Sequence, residues 1–456
     1  KFITNLYNES LSSSTDVRVL ITNLKLFQQE NQMKLKNSID FLFYDTCLPA
    51  TDIEFYLKVY PDSNIVKLSS VNRSEYNPDN SDYKIYDNVV LGGTFDRLHV
   101  GHKILLTEAV LRAKKRLVVG VTAKNMIKSK KLHELILPVD ERIEEVREFL
   151  QDIDTTLHYE IVPIEDPFGP TATDPDMDLI VVSQETLRGG EKVNEVREKN
   201  NLKKLEIFCI NLVEFAVDNV EKESKISSSN QRMDLLGQRI RTPSSKLHLK
   251  PTPYIIGLVG GIGSGKSIMS KRFQSMGCGV IDCDKLAHQL YEPGEECYES
   301  LRKHFGEKII AVDGRIDRKT LGSIVFGDKR KLQELNNLVW PAILKKAKQK
   351  IQELYEKENR RLIILEAAVL IQAGWTNECH EIWSCIVPPE IAVKRIMERD
   401  NLSEEDARKR IAAQVDNETL VAHSNVVFST TWSYDFSQKQ AEKAWNQLLK
   451  EINCNL

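Results

Sequence analysis

Long hydrophobic runs are missing from this 456-residue sequence. The longest, near Leu362 to Ile371, is interrupted by Glu366 and falls short of the ~18 apolar residues that a membrane-spanning helix needs. A strong charge of one sign is missing too, since 63 lysines and arginines stand against 66 acidic residues. Domains that bind nucleic acid generically are usually basic. We therefore expect neither a transmembrane segment nor a nucleic-acid partner.

Paired cysteines are also lacking. The eight cysteines are scattered, and none forms a CxxC pair. This spacing predicts free thiols in a reducing compartment and excludes a disulfide scaffold or a zinc module of the CxxC kind. The sequence begins at Lys1 without a methionine, so we expect that an N-terminal segment is missing. The expected location is intracellular, either cytoplasmic or mitochondrial.

The composition supports more than one packed core. Hydrophobic residues make up 41% of the chain, and at roughly 150 residues per domain the length predicts about three units. Residues 1–85 are expected to form a small α/β accessory region that ends in a polar linker. Two larger α/β domains are predicted at 86–240 and 254–456. They are joined by a linker at 241–253 that contains three prolines.

Both larger domains alternate apolar strands with helices. Strands that are apolar along their whole length are typical of a parallel sheet covered on both faces, so we predict two doubly wound sheets. The predicted strands are Val89 to Leu91, Leu117 to Val121, Leu179 to Val182, Leu205 to Val213, Tyr254 to Val259, Gly279 to Ile281, Leu362 to Leu365 and Ile382 to Val387. Helices are predicted from His102 to Lys115, from Lys266, and from Lys439 to Ile452.

A phosphate-binding motif stands between a strand and a helix in the second domain. It fits the pattern G-x-x-x-x-G-K-[ST], in which glycines turn backbone N–H groups toward phosphate oxygens. Lys266 can reach the β- and γ-phosphates, and the Ser267 hydroxyl can bind Mg²⁺. The alternative is a fortuitous glycine-rich turn. The expected ATP contacts are Gly260, Gly261, Ile262, Gly263, Ser264, Gly265, Lys266 and Ser267.

Acidic and basic residues follow this motif. Asp282 and Asp284 lie at the end of the next strand, where one can accept a proton from a substrate hydroxyl and the other can cap a helix. Glu366 ends a further strand and has either a metal-linked or a structural role. Arg395 and Arg399 share one helix face and predict a lid that neutralises transferred charge. The alternative for these arginines is a solvated basic surface.

Residues 254–456 resemble the dephospho-CoA kinases. The resemblance rests on the phosphate loop, Ile281 to Asp284, Asp313 to Arg318, Val325 to Gly327, Arg395, Arg399 and Asp400. It implies transfer of phosphate from ATP to the ribose 3′-hydroxyl of dephospho-CoA. By the same match Asp284 is the base, Arg399 is a lid contact, and Lys266 is the catalytic lysine.

A second anion site is predicted in the first domain, where a glycine-rich turn carries two histidines in an HxGH pattern. Imidazole N–H groups at a helix start can donate to phosphate, and Thr94 offers a hydroxyl. Too few ligands stand nearby for zinc. A serine run with an arginine follows far along the chain, and one lysine of the run 124–131 can close over a triphosphate. The expected site residues are Thr94 and His102 as catalytic groups, with Gly92, Gly93, His99, Lys128, Ser227, Ser228, Ser229 and Arg232 as ATP contacts.

Residues 86–240 resemble the eukaryotic and archaeal phosphopantetheine adenylyltransferases of the HxGH nucleotidyltransferase superfamily. The resemblance rests on Gly92 to His102, Asp166 to Pro170, Val182 to Thr186, Asn194 and Arg197. It implies attack of 4′-phosphopantetheine on the α-phosphorus of ATP, with pyrophosphate leaving. The order of the two domains resembles the bifunctional coenzyme A synthases of animals, as does the segment Ala367 to Trp375.

Two alternatives remain open. The chain could join a cytidylyltransferase to another P-loop kinase for small molecules, or it could be a nucleotide-binding scaffold without activity. The expected partners are the small molecules ATP, 4′-phosphopantetheine and dephospho-CoA, and Mg²⁺ is expected to accompany ATP.

Overall fold

The computed structural model describes residues 84–210, 227–325 and 328–455, together with Tyr7, 17–18, 41–45, Glu54 and 64–68. The chain divides into two compact units, Lys1–Gln231 and Arg232–Leu456. Most of the predicted accessory region 1–85, including its polar linker, falls outside the described residues. Residues 211–213 of the predicted strand Leu205 to Val213 also fall outside them, as do Phe326 and Gly327.

The first unit contains a five-stranded parallel sheet in the order β5-β4-β3-β6-β7. Two further strands, β1 and β2, pair in parallel as a separate sheet. The strands are β1 (Phe41–Asp45), β2 (Asn64–Leu68), β3 (Tyr86–Gly93), β4 (Ala113–Thr122), β5 (His158–Ile164), β6 (Leu179–Ser183) and β7 (Glu206–Ile210). The helices of this unit are α1 (Val100–Arg112), α2 (Lys124–Ile127), α3 (Val139–Ile153) and α4 (Leu187–Lys199). A further helix, α5 (Ser228–Leu235), contains the division between the two units, which follows Gln231.

The main sheet of the first unit is buried on both faces, as its apolar strands predict. On β3, Val89 and Leu91 join a core that includes Phe149 of α3, while Val90 joins an opposite core that includes Val193 of α4. Neighbouring residues of one strand point to opposite faces, so two separate cores are filled by one apolar run. The predicted doubly wound arrangement is confirmed for this unit.

One predicted helix of this unit is too long. It was expected to reach Lys115, but α1 ends at Arg112 and β4 begins at Ala113. Ala113 takes an extended conformation and pairs with Tyr86 of β3, and Lys115 forms an ion pair with Asp87. Pairing with β3 therefore outweighs the helical tendency of Lys114 and Lys115.

The second unit contains another five-stranded parallel sheet, in the order β12-β11-β8-β10-β9. Its strands are β8 (Tyr254–Gly260), β9 (Gly279–Asp282), β10 (Leu362–Glu366), β11 (Glu381–Ile386) and β12 (Val426–Ser429). Its helices are α6 (Lys266–Ser275), α7 (Cys283–Gln289), α8 (Glu296–Phe305), α9 (Arg318–Val325), α10 (Lys329–Glu358), α11 (Pro389–Asp400), α12 (Glu404–Ala412), α13 (Asn417–Ala422) and α14 (Tyr434–Asn455).

An aromatic cluster fills the core of the second unit. Phe273 of α6 lies 5.0 Å from Trp383 of β11 and 5.7 Å from Phe428 of β12, measured between ring centroids. The rings are tilted, the arrangement that aromatic pairs prefer. Trp445 of α14 lies on the same cluster. The predicted second parallel sheet is thus confirmed, and its core fixes α6 behind the phosphate loop.

The segment before β8 packs on the second unit. Gly237 N–H donates to the carbonyl of Val427 at 2.9 Å, and Ile240 N–H donates to that of Asn425 at 2.7 Å. Further along, the Lys250 carbonyl contacts Nε2 of His380 at 2.9 Å. Much of the predicted linker therefore bonds to this unit. The domain bound at 240 stays a prediction, while the compact units divide earlier, after Gln231.

The sequence predicts that the chain has no transmembrane segment and that its cysteines are free thiols. No helix in the described ranges combines the length and the apolar composition needed to cross a bilayer. Cys209, Cys278, Cys283, Cys297, Cys379 and Cys385 are free thiols.

Candidate functional site

The HxGH turn of the first unit runs from the end of β3 to the start of α1. Two residues of the turn, Phe95 and Arg97, have positive φ values of 49° and 51°. Asp96 is fully buried and accepts hydrogen bonds from Leu137 N–H at 3.2 Å and Arg97 Nη1 at 2.9 Å. These bonds hold a backbone shape that non-glycine residues rarely adopt, and they place His99 at the helix start.

The two histidines of this turn stack on each other. Their ring centroids are 3.8 Å apart with an interplanar angle of 21°. Both Nδ1 atoms are buried and lack a hydrogen-bond partner among the described residues. Burial lowers the pKa of His99 to about 4 and holds that of His102 well below its usual value. The rings are therefore neutral at pH 7, with buried polar atoms and an adjacent helix N-terminus that an anion can satisfy.

Thr94 is held by residues that the sequence did not single out. Its Oγ1 accepts from the Thr122 hydroxyl at 3.2 Å, and its carbonyl accepts from Arg142 Nη1 at 2.6 Å. Arg142 is buried and also donates to the carbonyls of Thr122 and Leu137. A buried guanidinium on three carbonyls fixes the ends of two neighbouring strands together. A charged residue at position 142, on the face of α3 that also carries Val146 and Phe149, was the available signal.

The two glycines of this turn differ in the space around them, and two lysines that follow it are exposed. A Cβ on Gly93 would lie 3.0 Å from the Phe95 ring, so a bulkier residue would disturb the turn, whereas Gly92 has ordinary space. Lys128, the lysine selected from the sequence, is exposed just after α2. The lysine whose charge lowers the pKa of His102 is Lys130. Lys130 is exposed as well.

The serine run lies at the start of α5. Ser227 Oγ accepts from the Asn230 N–H at 3.2 Å, the bond of a helix N-cap. Ser228 and Ser229 form the first turn of α5, and Arg232 is buried within the same helix. The serine run thus lies at a helix start, and Ser227 Oγ accepts the capping bond there.

The phosphate loop of the second unit joins β8 to α6. Gly265 has a φ of +83°, and a Cβ there would lie 2.7 Å from Thr430. Gly263 also has a positive φ and lies against the backbone of Ala392. The carbonyl of Ser264 accepts from the Thr430 hydroxyl at 2.8 Å. Glycine is therefore required at position 265 for both its conformation and its close contact.

Four predicted groups meet at the start of α6. Lys266 Nζ lies 2.8 Å from Oε1 of Glu366 and 3.9 Å from Oδ2 of Asp284. The Ser267 hydroxyl donates to the same Oε1 at 2.7 Å. Burial raises the pKa of Asp284, and the charge of Lys266 opposes that rise. Lysine, serine and two carboxylates thus form one cluster at the carboxyl ends of β9 and β10, where open α/β sheets bind ligands.

The neighbouring residues Asp282 and Asp284 make different contacts in the structure. Asp282 Oδ1 accepts from Lys285 N–H at 3.0 Å and caps α7. Asp284 is the second residue of α7, and its Oδ2 lies 3.9 Å from Lys266 Nζ. Of the two aspartates, Asp282 therefore caps a helix, whereas Asp284 faces Lys266.

A protein-only metal site is not found. No group of three or more metal-ligating side chains is gathered among the described residues. Ser267 Oγ and Glu366 Oε1 are oxygen groups of the kind that Mg²⁺ prefers, and Mg²⁺ usually takes its other ligands from water and substrate phosphates. These two side chains fit an ion that arrives with ATP.

The two lid arginines are placed differently. Arg395 of α11 donates from Nη1 to the Gly263 carbonyl at 2.9 Å and to the Thr430 hydroxyl at 2.8 Å. Arg399 is more exposed and forms an ion pair with the neighbouring Asp400 at 2.7 Å. Ser403 caps α12 as predicted, through the Asp406 N–H. Only Arg395 therefore reaches the phosphate loop in this conformation.

Comparisons with known proteins divide along the chain. Residues 90–233 match the family described as Cytidylyltransferase-like, and residues 254–433 match the family described as Dephospho-CoA kinase. A dephospho-CoA kinase of Carboxydothermus hydrogenoformans is 39% identical over 186 residues, covering 41% of this chain and 90% of the relative. One of Geobacter sulfurreducens is 39% identical over 191 residues, covering 42% of this chain and 96% of the relative.

A dephospho-CoA kinase is also among the solved structures that are similar to this chain. The dephospho-CoA kinase from Campylobacter jejuni is 28% identical, and the match covers 44% of this chain and 98% of that chain with a TM-score of 0.33.

Proposed function

The chain belongs to the dephospho-CoA kinase family through residues 254–433, and on that basis we propose that its second unit phosphorylates the ribose 3′-hydroxyl of dephospho-CoA with ATP. The cluster of Lys266, Ser267, Asp284 and Glu366 at the phosphate loop carries this proposal. It combines a cation for the β- and γ-phosphates, two oxygen groups for Mg²⁺ and a carboxylate for the acceptor.

Asp284 is proposed as the general base. Burial raises the pKa of its carboxyl group, and a raised pKa makes a carboxylate a better proton acceptor. Deprotonation of the 3′-hydroxyl by this group would let the ribose oxygen attack the γ-phosphorus. Lys266 would stabilise the charge on the phosphoryl oxygens, and Arg395 would keep the loop in position. Arg399 would have to leave Asp400 to contact phosphate.

We also propose that the first unit transfers the adenylyl group of ATP to 4′-phosphopantetheine. The stacked pair His99 and His102, with buried and unpartnered Nδ1 atoms, is the observation that supports this. In-line attack on the α-phosphorus would release pyrophosphate without a covalent intermediate. His102 would donate a hydrogen bond to the charged transition state, and Thr94 would position the attacking phosphate.

The two proposed reactions form a sequence. Dephospho-CoA made by the first unit is the substrate of the second, and coenzyme A is the final product. We propose a bifunctional coenzyme A synthase, of the type that animals have. The kinase-family match and the cytidylyltransferase-like match support the two halves of the proposal.

Separate assays test the two halves. The whole chain is incubated with Mg²⁺, ATP and either 4′-phosphopantetheine or dephospho-CoA, and pyrophosphate or coenzyme A is measured. We expect turnover in both reactions, and CTP should not replace ATP in the first. Faster pyrophosphate release with CTP would instead favour a cytidylyltransferase, which the description of the matching family leaves open. Binding of ATP without turnover of either substrate would favour a scaffold.

A further inference from the structure

Gln414 bonds to the phosphate loop from outside it. The residue follows α12, and its side-chain Oε1 accepts a hydrogen bond from the backbone N–H of Ile262 at 2.7 Å. A Cβ placed on Gly261 would lie 3.3 Å from the same oxygen. The bond links the front turn of the loop to a residue 152 positions later in the sequence.

The same turn of the loop is joined to the lid by apolar packing. The side chain of Ile262 lies against a small core of α11 and α12 that contains Ile396 and Ala407. Gln414 follows directly after α12, so the apolar contact and the hydrogen bond act on one turn. A movement of α12 would therefore be transmitted to the backbone at position 262.

The orientation of the Gln414 amide follows from its partner. A backbone N–H can only donate, so the atom it contacts must be the amide oxygen, and the NH₂ group is left as a donor. The N–H that Gln414 covers belongs to the loop that receives the phosphates. Ile262 lies four residues before Lys266, away from the start of α6 where the inner phosphates are expected. The NH₂ group beside this turn is therefore a donor available to a phosphate bound there.

We propose that Gln414 is a positioning residue for the terminal phosphate of ATP. Its Oε1 fixes the front turn of the phosphate loop, and its NH₂ group donates to the γ-phosphate once ATP is bound. The lid is thereby linked to the presence of that phosphate. This inference rests on the proposed kinase function, because it assumes ATP in the loop of the second unit.

Two substitutions separate fixing of the loop from contact with the phosphate. Gln414→Glu keeps an oxygen for the Ile262 N–H but replaces the donor with a negative charge. Gln414→Ala removes both. We expect either change to weaken ATP binding at least about tenfold while ADP binding changes less than about twofold. A purely structural role would weaken ATP and ADP binding equally in Gln414→Ala and leave Gln414→Glu near normal.

Calorimetric titration of the whole chain with ATP and with ADP provides the measurement. The Lys266→Ala chain measures the binding that belongs to the other unit. Gln438→Ala is a matched control, since the side-chain amide of Gln438 donates to Glu442 within α14, away from the phosphate loop. Equal losses for both nucleotides, or no loss for either, would overturn the proposal.

Kinetics with dephospho-CoA add a second readout. The KM for ATP should rise in Gln414→Glu, whereas the inhibition constant of ADP should stay constant. If the unaltered chain binds ATP but does not phosphorylate dephospho-CoA, the proposed acceptor is wrong. The titration of ATP against ADP would still decide the role of Gln414 in that case.

Discussion

In the first unit the candidate phosphate site is lined by imidazoles that burial keeps neutral, whereas in the second unit the phosphate loop holds a charged lysine 2.8 Å from Glu366. The first site leaves polar atoms of His99 and His102 without partners. At the second site, Lys266 already lies near the carboxylates of Glu366 and Asp284. A ligand therefore adds missing bonds at the first site, but it must replace existing bonds at the second.

Other buried charges of the molecule have different kinds of partner. Arg142 and Arg197 of the first unit donate to backbone carbonyls. In the second unit, Glu381 is fully buried and bonds to Arg239, which is itself mostly buried. A carbonyl partner has no charge to lose, whereas a carboxylate is neutralised when it takes up a proton. The buried pair of Arg239 and Glu381 should thus be sensitive to loss of either partner.

The largest effect is expected from Lys266→Ala. Removing the cation leaves Glu366 buried and the transferred phosphoryl group without its main stabilising charge, so phosphorylation of dephospho-CoA should fall about 10³-fold. Adenylyl transfer should change less than twofold. With 4′-phosphopantetheine and ATP, dephospho-CoA should accumulate, as measured by mass. Loss of both activities would contradict independent sites.

Arg239→Ala tests the buried pair away from the site. Glu381 would keep bonds from Tyr254 and Trp383 but lose its counter-charge, which costs about 3 kcal/mol of folding free energy. All five tryptophans lie between positions 340 and 445, so thermal unfolding followed by tryptophan fluorescence reports the second unit. The exposed Arg361→Ala is the matched control. An unchanged melting temperature for Arg239→Ala would show that the segment before β8 does not stabilise this unit.

His102→Ala addresses the neutral site. The loss of one hydrogen-bond donor to the transition state should lower adenylyl transfer about 10²-fold. Phosphorylation of added dephospho-CoA should continue at the rate of the unaltered chain. His158→Ala is the control, since that imidazole is exposed on β5. Equal losses in both His variants would remove His102 from the proposed site.

The smallest effect concerns pH. The pKa of His99 is about 4 in the folded chain, below the usual 6.5. Between these values the unfolded chain binds a proton that the folded chain does not, so stability falls as pH drops from about 6.5 to 4. His99 alone accounts for about 2 kcal/mol at pH 5.

Residual adenylyl transfer can measure this loss. The chain is heated at pH 5 or 7.5 and then assayed at pH 7.5 against its own unheated value. His99→Asn should reduce the difference between the two pH values. An equal pH dependence in both chains would show that the buried imidazole does not govern acid stability.

Local patterns predicted four strands of each five-stranded sheet and the two phosphate motifs, because an apolar run or a glycine-rich turn between a strand and a helix is contained in a few neighbouring residues. The edge strands β5 and β12 were not predicted. Contacts distant in sequence could not be predicted this way. The end of α1 depends on pairing between Ala113 and Tyr86, and the bond of Gln414 to Ile262 depends on the folded lid.

The central claim is that two sites act one after the other on a single chain. Its most direct test is one incubation of the whole chain with 4′-phosphopantetheine, ATP and Mg²⁺, in which the products are identified over time by mass spectrometry. The account predicts pyrophosphate and dephospho-CoA first, then coenzyme A. Binding of ATP with neither product formed would contradict it.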